Sequence, residues 1–229
     1  MLKTSLRRNS NPAVTIGLSP STEPSKLDVY SNEPFYIVIT ARILKSPSPE
    51  RPVTLWTHLS PLRGLHTRAF NNIKCTTDQA KIIEIWPRSW PQYRWDSEDL
   101  PAWDQLITIP PPTEGDVSVK HRVPPEAIAA AGVKPGETYN VKLTDLCLGA
   151  VWYAFGTQED LADKRLSSWQ SEEAKKAATE DDGALDGETR EEIRAERLEK
   201  YGDRTAVNGE DPASLAMVPE VGEIAFDVV

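Results

Sequence analysis

The sequence predicts an all-β fold, a β-sandwich with a few short helices and an acidic, partly helical insertion near the C-terminus. Sixteen of the 19 prolines precede residue 126 and separate short apolar runs, and proline favours turns and strand edges over helix interiors. Residues 35–44 and 223–229 alternate between an apolar face and a mixed or polar one, which is the period of a half-buried strand. Residues 171–213 are rich in Glu, Lys, Ala and Asp instead, so the insertion is placed there.

Residues 35–44 form the strongest predicted strand, because Phe35, Ile37 and Ile39 share one face with the apolar residues that follow. The prolines of 46–52 then predict a turn, and residues 53–58 are predicted to return as the second strand of a hairpin. The other expected strands cover residues 13–18, 81–85, 106–109, 117–123, 139–143 and 151–155.

Two short helices are predicted late in the chain. Pro124 and Pro125 lead into an alanine-rich helix that stops at Gly132, which is the usual placement of proline and glycine at helix ends. Thr157 and Asp160 have the spacing of a capping box and predict a helix that runs to about Arg165. Within the insertion, residues 188–201 are prone to form a helix with a thin apolar stripe. It is interpreted as a solvated segment, with a partner-binding helix as the alternative.

Charge divides the chain into a body of residues 1–170, an insertion of residues 171–213 and a final strand within residues 214–229. The body holds 19 basic and 18 acidic side chains, whereas the insertion holds 7 basic and 14 acidic ones. A near-neutral body without a basic stripe argues against nucleic-acid binding, which requires Lys and Arg to neutralise phosphates. The acidic C-terminal part argues against an anionic membrane surface.

The two cysteines, Cys75 and Cys147, are expected to be reduced, buried thiols of a cytoplasmic protein. No Asn-x-Ser/Thr sequon is present, and the residues after Met1 lack the apolar core of a secretory signal. Every apolar stretch is interrupted well short of the roughly 20 residues that a membrane span needs.

The segment from Gly132 to Leu143 carries the most specific resemblance. It contains Pro135, Gly136 and Tyr139 in an arrangement that resembles the corner before the penultimate strand of fibronectin type III and immunoglobulin-like domains. This resemblance implies a β-sandwich in which the Tyr139 hydroxyl bonds back to the backbone of the crossing loop. The order of a Val-Thr-Leu-Trp strand, this corner and a Trp-Tyr-Ala-Phe-Gly segment also resembles that of uncharacterised fungal cytosolic sandwich proteins.

A tryptophan-rich segment, residues 86–103, contains the candidate ligand-binding residues. One interpretation is a binding loop, because indole rings beside arginines offer stacking together with charged hydrogen bonds. The other is that these aromatic side chains cover the edge of the sandwich. The candidate residues are Arg88, Trp90, Tyr93, Arg94 and Trp95.

No catalytic, metal-binding or cofactor-binding motif is recognised in the sequence. The three histidines lack the spacing of metal ligands, and Ser60 near His58 lacks the glycines of a nucleophile elbow. We therefore expect a non-catalytic binding or protein-interaction module for a protein or small-molecule ligand. The alternative is a small cytosolic enzyme of specialised metabolism, with a pocket between the tryptophan-rich segment and the loops around His58 and His66.

Overall fold

The structure is a computed structural model that describes residues 11–57, 60–63, 70–84, 106–143, 148–161, 165–167 and 206–229. For residues 70–72, 165–167 and 206–208 the description covers the backbone. Among the described residues, strands predominate and the α-helices are short, which confirms the all-β prediction.

Fourteen strands lie within the described ranges. They are β1 (Val14–Glu23), β2 (Lys26–Leu27), β3 (Tyr36–Lys45), β4 (Val53–Trp56), β5 (Phe70–Cys75), β6 (Ile82–Ile83), β7 (Leu106–Ile109), β8 (Val117–Arg122), β9 (Thr138–Leu143), β10 (Tyr153–Phe155), β11 (Arg165–Ser167), β12 (Ala206–Asn208), β13 (Leu215–Pro219) and β14 (Glu223–Val228).

Two larger sheets contribute to one hydrophobic core. The four-stranded sheet has the order β13-β1-β3-β8, with β13 parallel to β1 and the other neighbours antiparallel. The five-stranded sheet has the order β2-β14-β9-β5-β6, with β2 parallel to β14. Ile16 and Ile39 of the first sheet belong to the same buried cluster as Val141 and Phe226 of the second. Burial of this apolar surface is the main stabilising contribution to such a fold.

Two smaller sheets complete the described part. A three-stranded antiparallel sheet has the order β10-β4-β7, and a two-stranded parallel sheet joins β11 to β12. Val53 and Leu55 of β4 belong to the main core, while Trp56 at the end of β4 belongs to a second cluster. That cluster contains Trp56, Leu106, Trp152, Ala154 and Leu161.

Burial along β3 confirms the alternation expected for residues 35–44. Ile37, Ile39 and Ala41 are fully buried, whereas Arg42 and Leu44 are exposed. β7 has the predicted bounds, and β9 and β14 agree with the prediction to within one residue at each end. The strand predicted at 13–18 continues to Glu23, and β13 was not expected at all.

The predicted hairpin between residues 35–44 and 53–58 is wrong. β3 pairs with β1 and β8, while β4 pairs with β7 and β10 in a different sheet. The physical reason lies in the connection of residues 46–52, which contains three prolines. Proline has no N–H to donate to a ladder and fixes its own backbone torsion, so this connection carries the chain from one sheet to the other.

Both predicted short helices are present. Helix α1 (Pro125–Ala130) begins after Pro124 and is followed by Gly132, which has a φ of 58°. Helix α2 (Gln158–Leu161) is preceded by Thr157, whose N–H donates to Asp160 Oδ2 at 2.8 Å. The Asp160 N–H donates in return to Thr157 Oγ1 at 3.1 Å. This reciprocal pair is the predicted capping box, and residues 162–164, into which the helix was expected to continue, lie outside the described residues.

An ion pair fixes the end of β13 against the four-stranded sheet. The carboxylate of Glu220 accepts hydrogen bonds from the guanidinium of Arg42 and from Ser19 Oγ, the latter at 3.1 Å. The same carboxylate lies directly over Gly17, where an added Cβ would come within 2.8 Å of it. A side chain at this point of β1 would therefore displace the Glu220 carboxylate from its place in the ion pair.

Most of the acidic insertion, residues 171–205, lies outside the described residues. Its last part is described and contacts the body: β12 pairs with β11, and the Glu210 N–H donates to the Tyr153 carbonyl at 2.8 Å. Gly209 lies so close to the Trp152 indole that a Cβ at this position would overlap Nε1. Residues 206–210 are consequently part of the packed structure.

In the described part of the chain, no helix is long and apolar enough to span a membrane.

Candidate functional site

The five predicted ligand-binding residues, Arg88, Trp90, Tyr93, Arg94 and Trp95, lie outside the described residues. What the structure describes is the frame on either side of them. β6 ends at Ile83, which is buried at the edge of the five-stranded sheet. β7 begins at Leu106, which is buried at an edge of the three-stranded sheet. The tryptophan-rich segment therefore connects edge strands of two different sheets.

The β7 side of this frame is an aromatic cluster. Leu106 pairs directly with Trp56 across the ladder between β7 and β4. The Trp56 N–H donates to the Trp152 carbonyl at 3.0 Å, and both indoles are buried in the second cluster. The anchor beside the tryptophan-rich segment thus contains two further tryptophans with structural roles.

A chain of hydroxyl groups supports the same sheet from within. Thr54 Oγ1 donates to the Gly156 carbonyl at 2.6 Å and lies 2.8 Å from Thr108 Oγ1. The Gln158 N–H donates to Thr108 Oγ1 at 3.2 Å. Since a hydroxyl has one hydrogen to donate, Thr108 donates to Thr54 and the chain runs in one direction. It links the start of α2 to β7, β4 and the Gly156 turn.

The turn that follows β4 and the adjacent strand β8 contain a buried serine and a buried histidine, residue types that also occur in catalytic sites. Ser60 is fully buried, and its Oγ donates to the Thr57 carbonyl at 2.7 Å. His121 of β8 is buried, with Nε2 2.8 Å from the Pro61 carbonyl. Because a carbonyl only accepts, Nε2 carries a hydrogen and donates it to Pro61. Both side chains thus bind main-chain carbonyls of this turn. His58 and His66 lie outside the described residues.

The corner around Pro135 and Gly136 is a type II turn, as its sequence predicts. The Glu137 N–H donates to the Lys134 carbonyl at 3.3 Å, and Gly136 at the third position has a φ of 85°. The Gly136 N–H donates to the Val228 carbonyl at 2.9 Å, which joins the corner to β14.

Tyr139 is fully buried at the start of β9, but its hydroxyl does not bond as the resemblance implies. It donates to Glu137 Oε2 at 3.0 Å, where a main-chain acceptor was expected. The Glu137 carboxylate also accepts from the Lys134 N–H at 2.9 Å and from Lys81 Nζ at 2.5 Å. An ionised carboxylate is a stronger hydrogen-bond acceptor than a main-chain carbonyl, which explains why the Tyr139 hydroxyl bonds to Glu137.

These contacts shift the acid–base properties of the corner. Lys81 and the Lys134 N–H hold the pKa of Glu137 below its ordinary value, because both donate to the ionised form. Burial, together with the hydrogen bond to the Glu137 carboxylate, raises the pKa of Tyr139 well above its ordinary value. The Tyr139 hydroxyl is therefore a neutral donor at any physiological pH, and its role at this corner is structural.

Cys75 is a buried, free thiol, in agreement with the expectation for this residue. Its sulfur lies 3.4 Å from Thr77 Oγ1, and this hydrogen bond lowers the pKa of the thiol. Cys147 lies outside the described residues. Among the side chains that the structure describes, no group of three His, Cys, Asp or Glu residues is placed to hold a metal ion.

No protein-family model, curated protein or solved structure matches the chain.

Proposed function

We propose that the chain is a non-catalytic binding module with a ligand site in the tryptophan-rich segment, residues 86–103. The observation that carries the proposal is the anchoring of this segment between Ile83 of β6 and Leu106 of β7, which are buried ends of edge strands from two sheets. Long connections between rigid elements are where binding residues concentrate.

The chemistry of the segment indicates the class of ligand. Trp90, Trp95 and Tyr93 offer flat apolar faces, and Arg88 and Arg94 add charged donors between them. This combination is typical of protein-interaction hot spots. The near-neutral body favours a protein or small-molecule ligand over a nucleic acid, which would need a basic surface.

Three buried polar side chains make hydrogen bonds that hold local structure. Ser60 Oγ and His121 Nε2 both donate to main-chain carbonyls, and the Tyr139 hydroxyl donates to Glu137. These bonds hold the turn and the corner in place.

For the fold we propose an immunoglobulin-like or fibronectin type III-like β-sandwich. In such domains the first, second and fifth strands share one sheet, and the third, sixth and seventh share the other. β1, β3 and β8 correspond to the first set, and β5, β9 and β14 to the second. The type II corner before β9 supports the same assignment. The buried, free thiol of Cys75 supports a reducing, cytoplasmic location.

The proposed site is tested with the double variant Trp90→Ala/Trp95→Ala of the full chain. A partner captured from cell extract by the wild-type chain is purified, and its affinity for each variant is measured by calorimetry. Loss of two aromatic anchors should weaken binding by tenfold or more, since a hot-spot side chain contributes about 2 kcal/mol or more. The melting temperature should stay within about one degree of the wild type.

The matched control is Tyr30→Ala, because Tyr30 is an aromatic side chain that is 82% exposed and belongs to another surface loop. This variant should bind like the wild type. Unchanged binding by the double variant would remove the proposed site. A fall of several degrees in its melting temperature would show that the indoles cover the sheet edge instead.

A further inference from the structure

The chain contains four Ser-Pro dipeptides, which begin at Ser19, Ser46, Ser48 and Ser60. The structure divides them into two groups. Ser19 lies within β1 and is paired with Thr40 of β3, and Ser60 is fully buried, with its hydroxyl donating to the Thr57 carbonyl. Ser46 and Ser48 lie on the connection of residues 46–52 between β3 and β4.

We propose that Ser46 and Ser48 are phosphorylation sites for a proline-directed Ser/Thr protein kinase. Around the two serines, Pro47, Pro49 and Glu50 are exposed, and both serines are partly exposed. The hydrogen bonds of the two serines are local: the Ser48 N–H donates to Ser46 Oγ at 3.0 Å, and the Arg51 N–H donates to the Ser48 carbonyl at 3.1 Å. The contacts to β10 and the turn after it begin at Arg51 and Pro52. Residues 46–50 lie outside both ladders and can therefore be drawn into an enzyme cleft without opening a sheet.

The flanking residues fit this class of kinase. Proline has no N–H, so the residue after the serine makes no demand on the enzyme for a hydrogen bond, and it disfavours a helical conformation of the serine before it. Arg51 follows Ser48 by three residues and supplies a basic side chain for an acidic pocket. In the reaction, serine Oγ bonds to the γ-phosphorus of ATP, the bond to the β–γ bridging oxygen breaks, ADP leaves, and the hydroxyl proton passes to the catalytic base of the kinase.

A phosphate on Ser48 would have a defined structural consequence. The Arg51 guanidinium donates to the Phe155 carbonyl at 3.0 Å and lies 5.5 Å from the centroid of the Phe155 ring. A phosphoserine adds about two negative charges and strong acceptors beside this arginine. It would compete with Phe155 for Arg51, so phosphorylation would loosen the contact between the connection and β10.

The test incubates the folded full chain with a purified proline-directed Ser/Thr kinase and Mg²⁺-ATP, and locates phosphate by peptide mass spectrometry. Phosphate is expected on Ser46 and Ser48, with at least tenfold less on Ser19 and Ser60. After unfolding in urea and dilution into the assay, Ser19 and Ser60 should gain phosphate as well.

Two variants separate the sites. Pro47→Ala should reduce phosphorylation of Ser46 at least tenfold and leave Ser48 unchanged, and Pro49→Ala should do the reverse. A synthetic peptide of residues 43–53 provides the unfolded reference. Phosphorylation of the peptide but not of the folded chain would overturn the inference, as would equal phosphorylation of all four serines or no phosphorylation of the peptide.

Discussion

The corner around Glu137 and the hydroxyl chain through Thr54 both tie strands together with side-chain hydrogen bonds, but by different chemistry. At the corner a carboxylate accepts three bonds, from Tyr139, Lys81 and the Lys134 N–H. In the hydroxyl chain the two threonine hydroxyls each accept one hydrogen bond and donate one, between the Gln158 N–H and the Gly156 carbonyl. The corner can lose one bond and keep its acceptor satisfied, whereas loss of the Thr54 hydroxyl takes a hydrogen-bond partner from the buried Gly156 carbonyl. The corner also titrates, and the chain does not.

The largest effect is expected from removing the strand on which the corner depends. Deleting residues 223–229 removes Phe226, which stacks on Tyr139 with ring centroids 5.8 Å apart, and the two main-chain bonds of Val228 to the corner. Burying each of the lost apolar side chains contributes about 1.5–3 kcal/mol, so the deletion should destabilise the chain by several kcal/mol. Urea unfolding measures the difference.

The control for this deletion is excision of residues 175–203 with a short linker, which removes acidic sequence and keeps the β12 segment. This variant should melt at nearly the wild-type temperature. If it unfolds instead, the insertion is part of the core.

Thr54→Val tests the hydroxyl chain. The substitution removes one hydroxyl and takes that partner from the buried Gly156 carbonyl and from the partly buried Thr108 hydroxyl. The expected cost is about 1–3 kcal/mol, the penalty for leaving buried polar groups unsatisfied. Thr54→Ser keeps the hydroxyl and should recover most of the stability lost in the valine variant, as measured by urea unfolding at pH 7. Equal stability of the valine variant and the wild type would contradict this account.

Tyr139→Phe should cost less, about 1 kcal/mol, because Glu137 keeps its bonds to Lys81 and the Lys134 N–H after the hydroxyl is gone. Ligand binding by the tryptophan-rich segment should be unchanged. A cost as large as that of Thr54→Val would mean that the two networks respond alike. A fully stable variant would show that the Tyr139 hydroxyl does not stabilise the corner.

The smallest expected effect is a difference in how the stability of the two networks depends on pH. The folded state lowers the pKa of Glu137, so its ionised form contributes stability that is present above the unfolded-state pKa and is lost as the pH falls through the folded-state pKa. Thermal unfolding between about pH 5 and pH 3 should therefore show a smaller loss of stability in Glu137→Gln than in the wild type. Glu220 also has a lowered pKa, which leaves part of the acid loss in place. Thr54→Val should keep the wild-type pH dependence, since threonine does not titrate in this range.

Local sequence signals predicted several of these elements well. The alternation of residues 35–44, the Pro-Gly turn before Tyr139 and the capping box of Thr157 and Asp160 all depend on neighbours within a few residues. The structure agrees with each of them. The candidate site was predicted from the composition of residues 86–103 alone, and its frame became visible only through the positions of β6 and β7.

The sequence by itself determined the all-β class, the short helices, the turn at Pro135 and Gly136 and the concentration of acidic charge near the C-terminus, because each follows from local composition or periodicity. The tertiary structure alone decided which strands pair: β4 leaves β3 for another sheet, and β13 lies parallel to β1, although nearly 200 residues separate them along the chain. It also decided that Glu137 accepts the Tyr139 hydroxyl, since Lys81 reaches it from a hairpin distant in sequence. Pairing between distant segments depends on the total burial and hydrogen bonding of the assembled chain, and no short stretch of residues contains that information.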